Sequence, residues 1–268
     1  MSKVILITGA STGIGRTTAE YLTKLGHRVY GTSRKPFNEV VSFQTVVMDV
    51  TDDTSVQNAI AHVLQREQQI DILINNAGLG IIGALEEVPE EMIQRVFDTN
   101  VWGLLRVCRA VLPAMRQRRS GLIINVGSIA GRMGLPFRGI YSASKASVEI
   151  LTETLSIELK PFGIEACSVL PGDVRTNINA NRLVAHSPSN SPYRAYVDDM
   201  NAKVNAEVSE AAEPMYIAKT IEKVINAKSP NIYYVAGPFL QRASLLLKRF
   251  LPSRVFEYLL RENYGMKW

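Results

Sequence analysis

The 268-residue sequence has few of the residues that form metal centres or disulfides. Its two cysteines, Cys108 and Cys167, lie far apart in apolar surroundings, and its histidines, His27, His62 and His186, show no ligand spacing. Isolated cysteines in such surroundings are typical of reduced core positions, whereas a zinc site needs closely grouped ligands. We therefore expect neither a disulfide nor a bound metal.

Long apolar runs are also missing. Every hydrophobic run is far shorter than the roughly 18 residues that a membrane-spanning helix needs. The opening stretch, MSKVILITGA, has the features of neither a cleavable signal nor an Arg-rich transit peptide. These absences lead us to expect a cytoplasmic protein.

Charge is nearly balanced over most of the chain. The formal net charge is +5, and residues 241–268 hold six Lys or Arg against two Glu, a local charge of +4 that leaves +1 for the rest. A body so close to neutral lacks the basic face with which proteins bind nucleic acids. We expect no nucleic-acid partner.

Short β-branched runs alternate with longer helical patterns along the whole sequence. Near-continuous apolar strands separated by helices are typical of a parallel sheet covered on both faces, and no repeat or linker divides the chain. We predict a single α/β domain over residues 1–268, built on a Rossmann-type, doubly wound, seven-stranded parallel sheet. The predicted strands are 4–8, 28–32, 44–48, 71–75, 121–126, 164–170 and 231–236, and three of the predicted helices are 54–68, 90–117 and 141–160.

A glycine-rich turn, TGASTGIG at residues 8–15, connects the first predicted strand to a helix that begins near Arg16. Glycine lets the backbone turn sharply and approach a pyrophosphate, whose charge is favoured by the N–H groups and the dipole of a helix start. A strand, a turn and a helix in this order indicate a dinucleotide site. Its predicted contacts are Gly9, Ser11, Thr12, Gly13, Ile14 and Gly15.

The second predicted strand ends in Thr32, Ser33, Arg34 and Lys35. This end of a dinucleotide fold faces the adenosine ribose, where an acid binds the 2′-hydroxyl of NAD and a basic residue accommodates the 2′-phosphate of NADP. No acid is present, while Ser33 can donate a hydrogen bond to the phosphate and Arg34 can bind two of its oxygens. We predict NADP(H) in preference to NAD(H), with a solvated loop at Arg34 and Lys35 as the alternative.

Ser128, Tyr141 and Lys145 form the candidate catalytic set. Tyr141 and Lys145 are four residues apart, so they share one face of a helix, and Ser128 follows the neighbouring strand. Free tyrosine has a pKa near ~10, so proton transfer at neutral pH needs a nearby positive charge, which Lys145 and the oxidised nicotinamide would supply. In reduction, Tyr141 would protonate the carbonyl oxygen, Ser128 would hold that oxygen, and Lys145 would bind the nicotinamide ribose.

Taken in order along the chain, these motifs resemble those of the short-chain dehydrogenase/reductase family. The glycine spacing, Asp49-Val50, NNAG at 75–78, Asn100, Ser128, YSASK at 141–145 and PGDVRT at 171–176 all agree with the family and span most of the sequence. The spacing between the tyrosine and the lysine favours carbonyl and alcohol chemistry over that of the related enoyl reductases.

The resemblance implies further roles. Asp49 would bind the adenine amino group, Val50 would pack on the adenine ring, and Asn100 would stabilise a helix irregularity and a water that relays protons to Lys145. For Asn75 a stabilising role and a direct contact both stay open. The remaining implied cofactor contacts are Asn76, Ala77, Gly78, Tyr141, Lys145, Pro171, Gly172, Val174 and Thr176.

The substrate pocket is expected between residues 79–82, 132–137 and a substrate lid at about 177–212. The apolar stretch GRMGLPF favours a small hydrophobic ketone, aldehyde or secondary alcohol. Arg132 or Arg138 as an anchor for a substrate carboxylate stays open as an alternative.

Two amphipathic helices are predicted at about 241–268, divided by Pro252 and Ser253. We favour a helix pair packed on the body or over the substrate mouth; the alternative is a basic segment that touches an anionic membrane. The tail loosely resembles those of steroid and retinol dehydrogenases. Family members commonly form homodimers or homotetramers through helices that correspond to 90–117 and 141–160, and the broad apolar faces here permit this.

The sequence thus predicts an NADP(H)-dependent oxidoreductase that interconverts a hydrophobic ketone or aldehyde and its alcohol, with Tyr141 as general acid/base. A catalytically silent nucleotide sensor or scaffold with the same fold is the alternative, although the catalytic set shows no damage. An epimerase or dehydratase acting through the same residues is a third interpretation.

Overall fold

Seven parallel strands form the central sheet in a computed structural model that describes residues 2–175 and 182–266. The strands are β1 Val4–Ile7, β2 Arg28–Ser33, β3 Gln44–Val47, β4 Ile72–Asn75, β5 Ile81–Ile82, β6 Gly121–Val126, β7 Ile164–Pro171, β8 Leu183–Val184 and β9 Tyr233–Ala236. The sheet order is β3-β2-β1-β4-β6-β7-β9, while β5 and β8 pair separately. The predicted doubly wound sheet is confirmed, and each of its seven predicted strands is present.

The strand order reverses direction between β1 and β4. At such a switch point the loops that follow the two strands turn to opposite faces of the sheet and leave a crevice at the carboxyl ends. The loops after β1, β4, β6 and β7 carry the predicted motifs, so the topology brings these motifs to one edge.

Helices cover both faces because side chains alternate along each strand. In β1, Val4 and Leu6 join the core cluster beneath the second, fourth and fifth helices, whereas Ile5 and Ile7 join the opposite cluster beneath the first and seventh helices. All four side chains are fully buried, and each contributes roughly 1.5–3 kcal/mol to stability. The helices are α1 Gly13–Lys24, α2 Asp53–Glu67, α3 Glu90–Phe97, α4 Gly103–Arg118, α5 Gly139–Glu158, α6 Arg194–Glu210, α7 Pro214–Ile225, α8 Phe239–Phe250 and α9 Ser253–Tyr264.

The predicted helix over 90–117 is interrupted. A π-helical turn at Asp98–Trp102 separates α3 from α4, and Asn100 lies buried within it. Such turns widen a helix locally and are frequent at functional sites. The helix irregularity expected at Asn100 is therefore present.

The start of α2 is set by a single side chain. Asp52 has extended backbone angles, and its carboxylate accepts a hydrogen bond from the backbone N–H of Ser55 at 3.0 Å. Asp52 is the N-cap, and Asp53 is the first helical residue. The cap satisfies one of the N–H groups that a helix start leaves unpaired.

Replacement of Asp52 by alanine is expected to lower the free energy of unfolding by about 1 kcal/mol, because the cap hydrogen bond is lost. Asp52→Asn retains an accepting oxygen and should stay close to the wild type. Urea denaturation of both variants measures the difference. Equal losses in the two variants would contradict the capping role.

Candidate active site

The loops after β1 and β4 approach each other closely at the crevice. The Thr8 hydroxyl accepts hydrogen bonds from the backbone N–H groups of Asn76 and Ala77, both at 2.9 Å. Gly9 has φ +67°, and a Cβ at this residue would lie 2.9 Å from the Ala77 Cα. Only glycine fits this position, because a side chain would force the two loops apart.

The start of α1 suits an anion. Thr12 is the N-cap, yet its side chain makes no capping hydrogen bond, and the first turn holds no acid. A Cβ at Gly15 would lie 2.4 Å from the Gly9 carbonyl oxygen, so the turn folds back tightly on the helix. N–H groups at an uncapped helix start bind phosphate well. The turn therefore fits a dinucleotide pyrophosphate.

The residues at the end of β2 line the cleft, and two of them are basic. They are Ser33, Arg34 and Lys35, and no acid is next to them in sequence. Glu39 lies on the same wall, but its carboxylate forms an ion pair with Arg16. That guanidinium, which also pairs with Glu20, holds the pKa of Glu39 below its usual value, so the charge of this acid is partly compensated.

Further along the cleft, Asp49 is fixed by its own loop. One oxygen of its carboxylate accepts the backbone N–H of Thr51 at 2.9 Å and the Thr51 hydroxyl at 2.8 Å. The Asp49 backbone N–H donates to the Ser55 hydroxyl at 2.9 Å. Beside it, Val50 is buried against Gly103 of α4. Both residues line the cleft where an adenine is expected.

The candidate catalytic side chains meet at the start of α5. The Ser128 hydroxyl accepts the N–H of Ala130 at 3.1 Å, and both Ser128 and Tyr141 line the cleft. The guanidinium of Arg138 lies 5.6 Å from the centre of the Tyr141 ring. Burial raises the pKa of Tyr141, and the positive charge of Arg138 and the neighbouring Ser128 hydroxyl partly oppose this rise. The phenol is therefore protonated at neutral pH.

Lys145 is buried on the floor of the cleft. Its ammonium donates to the Val126 carbonyl at 2.8 Å, and a Cβ at Gly78 would lie 3.5 Å from both the ammonium and the Asn100 side-chain oxygen. Burial lowers the pKa of Lys145 to about 8, against the opposing charge of Glu149. The lysine therefore lies where the nicotinamide ribose is expected.

Asn100 holds the loop after β4 in place. Its amide oxygen accepts the N–H of Leu79 at 2.7 Å, and its amide nitrogen donates to the Leu79 carbonyl at 2.9 Å and to the Ser144 hydroxyl at 3.0 Å. The Ser144 hydroxyl in turn donates to the Tyr141 carbonyl at 2.8 Å. Asn100 thus couples the π-helical turn to α5.

Asn75 lies beneath the cleft rather than in its wall. It is buried, and its amide donates to the Asn125 side chain at 2.9 Å, which donates to the Thr152 hydroxyl at 2.8 Å. These bonds join β4, β6 and α5. Of the two roles that stayed open, this geometry favours the stabilising one.

One continuous cleft of about 1110 Å³ contains most of the predicted site. Of the other predicted site residues, Gly15 and Asn100 do not line the cleft, and Thr176 lies outside the described residues. Among residues 2–175 and 182–266, no cluster of His, Cys, Asp and Glu is arranged to hold a metal ion. The predicted residues that line the cleft are Gly9, Ser11, Thr12, Gly13, Ile14, Ser33, Arg34, Asp49, Val50, Asn76, Ala77, Gly78, Ser128, Tyr141, Lys145, Pro171, Gly172 and Val174.

The expected pocket rim is only partly correct. Residues 79–81 line the cleft, but 132–137 do not. Arg132 instead forms an ion pair with the buried Glu149 and lies 3.9 Å from the centre of the Tyr233 ring. Arg138 does line the cleft, so of the two arginines considered as a carboxylate anchor only Arg138 faces this space.

Sequence reasoning missed several residues that shape the site. Gln241 donates to the Asp173 carboxylate at 2.6 Å and accepts the Asp173 backbone N–H at 3.0 Å, which fastens the loop after β7 to α8. Arg182 also lines the cleft. No local signal identifies these contacts, whereas Glu149, four residues after Lys145 on the same helix face, could have been found from its spacing.

The comparisons with known proteins agree with this geometry. A family model described as short chain dehydrogenase matches residues 3–186. A 3-ketodihydrosphingosine reductase from Bacteroides thetaiotaomicron is 40% identical over 266 residues, 99% of each chain. Human 17-beta-hydroxysteroid dehydrogenase type 1 is 38% identical and covers 98% of this chain and 86% of its own. A short-chain dehydrogenase structure from Streptomyces avermitilis has a TM-score of 0.83 and 31% identity, covering 98% of this chain and 97% of that one.

Lys145→Met is expected to raise the free energy of unfolding of the cofactor-free protein at pH 7 by about 1–2 kcal/mol, because a buried ammonium is removed. In the folded wild type Lys145 loses its proton near pH 8, whereas in the unfolded chain it does so near pH 10.5. The free energy of unfolding of the wild type therefore rises between these two pH values, and the stability difference between Lys145→Met and the wild type should become smaller. Urea denaturation at pH 7, 9 and 10 measures it.

Lys24→Met replaces an exposed lysine and serves as the matched control without this pH dependence. A Lys145→Met protein less stable than the wild type at pH 7 would show that the partners of Lys145 outweigh its burial.

Proposed function

The chain belongs to the short-chain dehydrogenase family, an NAD(P)-dependent group of oxidoreductases, and from this premise we propose that it interconverts a hydrophobic ketone or aldehyde and its alcohol with NADP(H). The observation that carries the proposal is the presence of Ser128, Tyr141 and the buried ammonium of Lys145 in the wall of one cleft. A proton donor, an oxyanion holder and a cofactor anchor are the groups that this reaction requires.

Each residue has a chemical task in the reductive direction. Bound NADPH would supply the hydride that reaches the carbonyl carbon. Tyr141 releases its phenolic proton to the carbonyl oxygen, and the Ser128 hydroxyl donates a hydrogen bond to the same oxygen as negative charge develops there. Lys145 holds the ribose hydroxyls, and its positive charge stabilises the tyrosinate that remains. Asn100 is a positioning residue that keeps the loop after β4 against α5.

The electrostatics give Tyr141 the protonation state that the reductive direction requires. Burial raises the pKa of Tyr141, so the cofactor-free site presents a phenol and not a phenolate. A protonated tyrosine is the form that a carbonyl reductase needs. A relative named as a reductase of a 3-keto compound is consistent with this direction.

A hydrophobic substrate is supported by the cleft wall beyond Tyr141. Leu79, Ile81, Leu183 and Val204 are among the residues that line the cleft. Apolar walls with a few polar groups are typical of small-molecule sites. Arg138 places a cation beside Tyr141, and Arg182 also lines the cleft, so a substrate carboxylate is compatible with this region.

NADP(H) is the proposed cofactor because the cations Arg34 and Lys35 follow Ser33 at the end of β2, and the acid on that wall, Glu39, is paired with Arg16. A 2′-phosphate would meet net positive charge there.

The cytoplasm is the proposed location. A homodimer or homotetramer is the proposed assembly, supported by the exposed apolar side chains of Trp102 and Ile157.

Arg34→Ala is expected to lower kcat/KM with NADPH by about 10- to 100-fold, because a hydrogen bond to a charged phosphate is lost. Activity with NADH should stay nearly constant. Steady-state kinetics with both cofactors measure the ratio, and Arg194→Ala, which removes an exposed arginine outside the cleft, is the control. An equal loss with both cofactors would refute the phosphate contact.

Tyr141→Phe is expected to lower kcat for a panel of aromatic and aliphatic carbonyls by roughly 10²- to 10⁴-fold, because the proton donor is removed. NADPH binding, followed by fluorescence, should persist. Tyr216→Phe changes an exposed tyrosine and should leave both readouts unchanged. Cofactor binding without turnover of any carbonyl by the wild type would favour the sensor, and turnover without stoichiometric NADPH consumption would favour an epimerase or dehydratase.

A further inference from the structure

The two C-terminal helices leave large apolar side chains in solvent. Phe239 is 81% exposed, Phe250 75% and Leu246 60%. Helix α9 adds three more that are between two fifths and three fifths exposed. We call these six side chains the hairpin face: Phe239, Leu246 and Phe250 on α8, and Val255, Tyr258 and Leu259 on α9.

The spacing of the hairpin face gives each helix one apolar stripe. Phe239, Leu246 and Phe250 are separated by seven and four residues, which places them on one side of α8. Val255, Tyr258 and Leu259 follow at intervals of three and one, again on one side of α9. Soluble proteins rarely leave large apolar groups exposed together unless they bind something.

The opposite side of the hairpin is attached to the body of the protein. Phe256 is buried, Gln241 is bonded to Asp173, and Lys248 donates to the Arg132 carbonyl. Near the end of α9, Lys203 of α6 donates to a backbone carbonyl. The hairpin is therefore fixed in an orientation that leaves the hairpin face outward.

Positive charge accompanies the exposed stripes. Residues 239–264 contain five Lys or Arg and two Glu, a net charge of +3. Arg242, Arg249 and Arg254 are exposed among the apolar residues, and the last pairs with Glu257 at 3.2 Å. Apolar groups with cations beside them match the boundary between acyl chains and anionic headgroups.

We propose that the hairpin face docks on the surface of an anionic lipid bilayer. The apolar side chains enter the headgroup boundary, and the exposed arginines meet lipid phosphates. Docking is at the surface, because within the part of the chain that the structure describes no helix is long and apolar enough to cross a bilayer. Charge argues against a second copy as the occupant, since two copies of a segment with a net charge of +3 repel each other.

Docking on a bilayer would also bring a membrane-dissolved substrate close to the cleft, a consequence that rests on the proposed function. Gln241 of α8 contacts the loop after β7 at Gly172, and Met266, just after α9, lines an apolar side pocket of about 360 Å³ together with Phe137 and Tyr193. A hydrophobic ketone dissolved in the membrane would thus reach the protein near the elements that border the cleft.

Flotation of the full chain with vesicles tests the proposal without any substrate. We expect at least about tenfold stronger binding to phosphatidylcholine vesicles containing phosphatidylglycerol than to phosphatidylcholine alone, and loss of this difference at high salt. The double variant Phe239→Ser, Phe250→Ser should bind about 10- to 100-fold more weakly. Val40→Ser, at a 99% exposed valine between β2 and β3, is the control and should bind as the wild type does.

NADPH binding checks that the double variant is folded. Absence of wild-type binding to the anionic vesicles, or equal binding by the double variant, would overturn the proposal. So would a wild-type dimer that the double variant converts to monomers without any vesicle binding, because the face would then join two copies. None of these outcomes depends on turnover, so the proposed function stands or fails separately.

Discussion

The close approach of the loops after β1 and β4 is the constraint on which the cleft depends. The Thr8 hydroxyl satisfies two backbone N–H groups of the neighbouring loop, and a typical intramolecular hydrogen bond contributes roughly 1 kcal/mol to stability. The contact requires a residue without a side chain at Gly9. Because these two loops meet, the uncapped start of α1 and the floor beneath a nicotinamide face the same space.

Helix α5 brings buried charge to that space. Lys145 and Glu149 lie one turn apart, both almost without solvent contact, and Gly131 leaves room for the Glu149 carboxylate, which a Cβ there would approach to 2.4 Å. Burial raises the pKa of Glu149 to about 7, opposed mainly by Arg132. Buried charges are tolerated when they are paired, and Arg132 pairs with one oxygen of the Glu149 carboxylate. The charge that Lys145 offers to a cofactor is therefore maintained by a chain of partners that leads away from the cleft.

That chain continues into the C-terminal hairpin. The backbone carbonyl of Arg132 accepts the Lys248 ammonium, and Gln241 holds the loop after β7 through Asp173. Lys248 of α8 thus contacts the segment that follows Ser128, and Gln241 contacts the loop after β7 at the end of the cleft where the nicotinamide is expected. The tail that carries most of the positive charge is at the same time part of the support for the active site.

The sequence by itself determined the sheet, its strands and the motifs at their carboxyl ends, because side-chain periodicity and glycine-rich turns are local properties that a few adjacent residues express. Most of the site residues predicted from it line the cleft, among them Tyr141 and Lys145, whose four-residue spacing places them on one face of a helix. Only the tertiary structure decided that Arg132 turns away from the cleft while Arg138 faces Tyr141, and that Gln241 fastens a loop 68 residues earlier. Contacts between distant segments and the burial that shifts a pKa arise from packing in three dimensions, which no local pattern encodes.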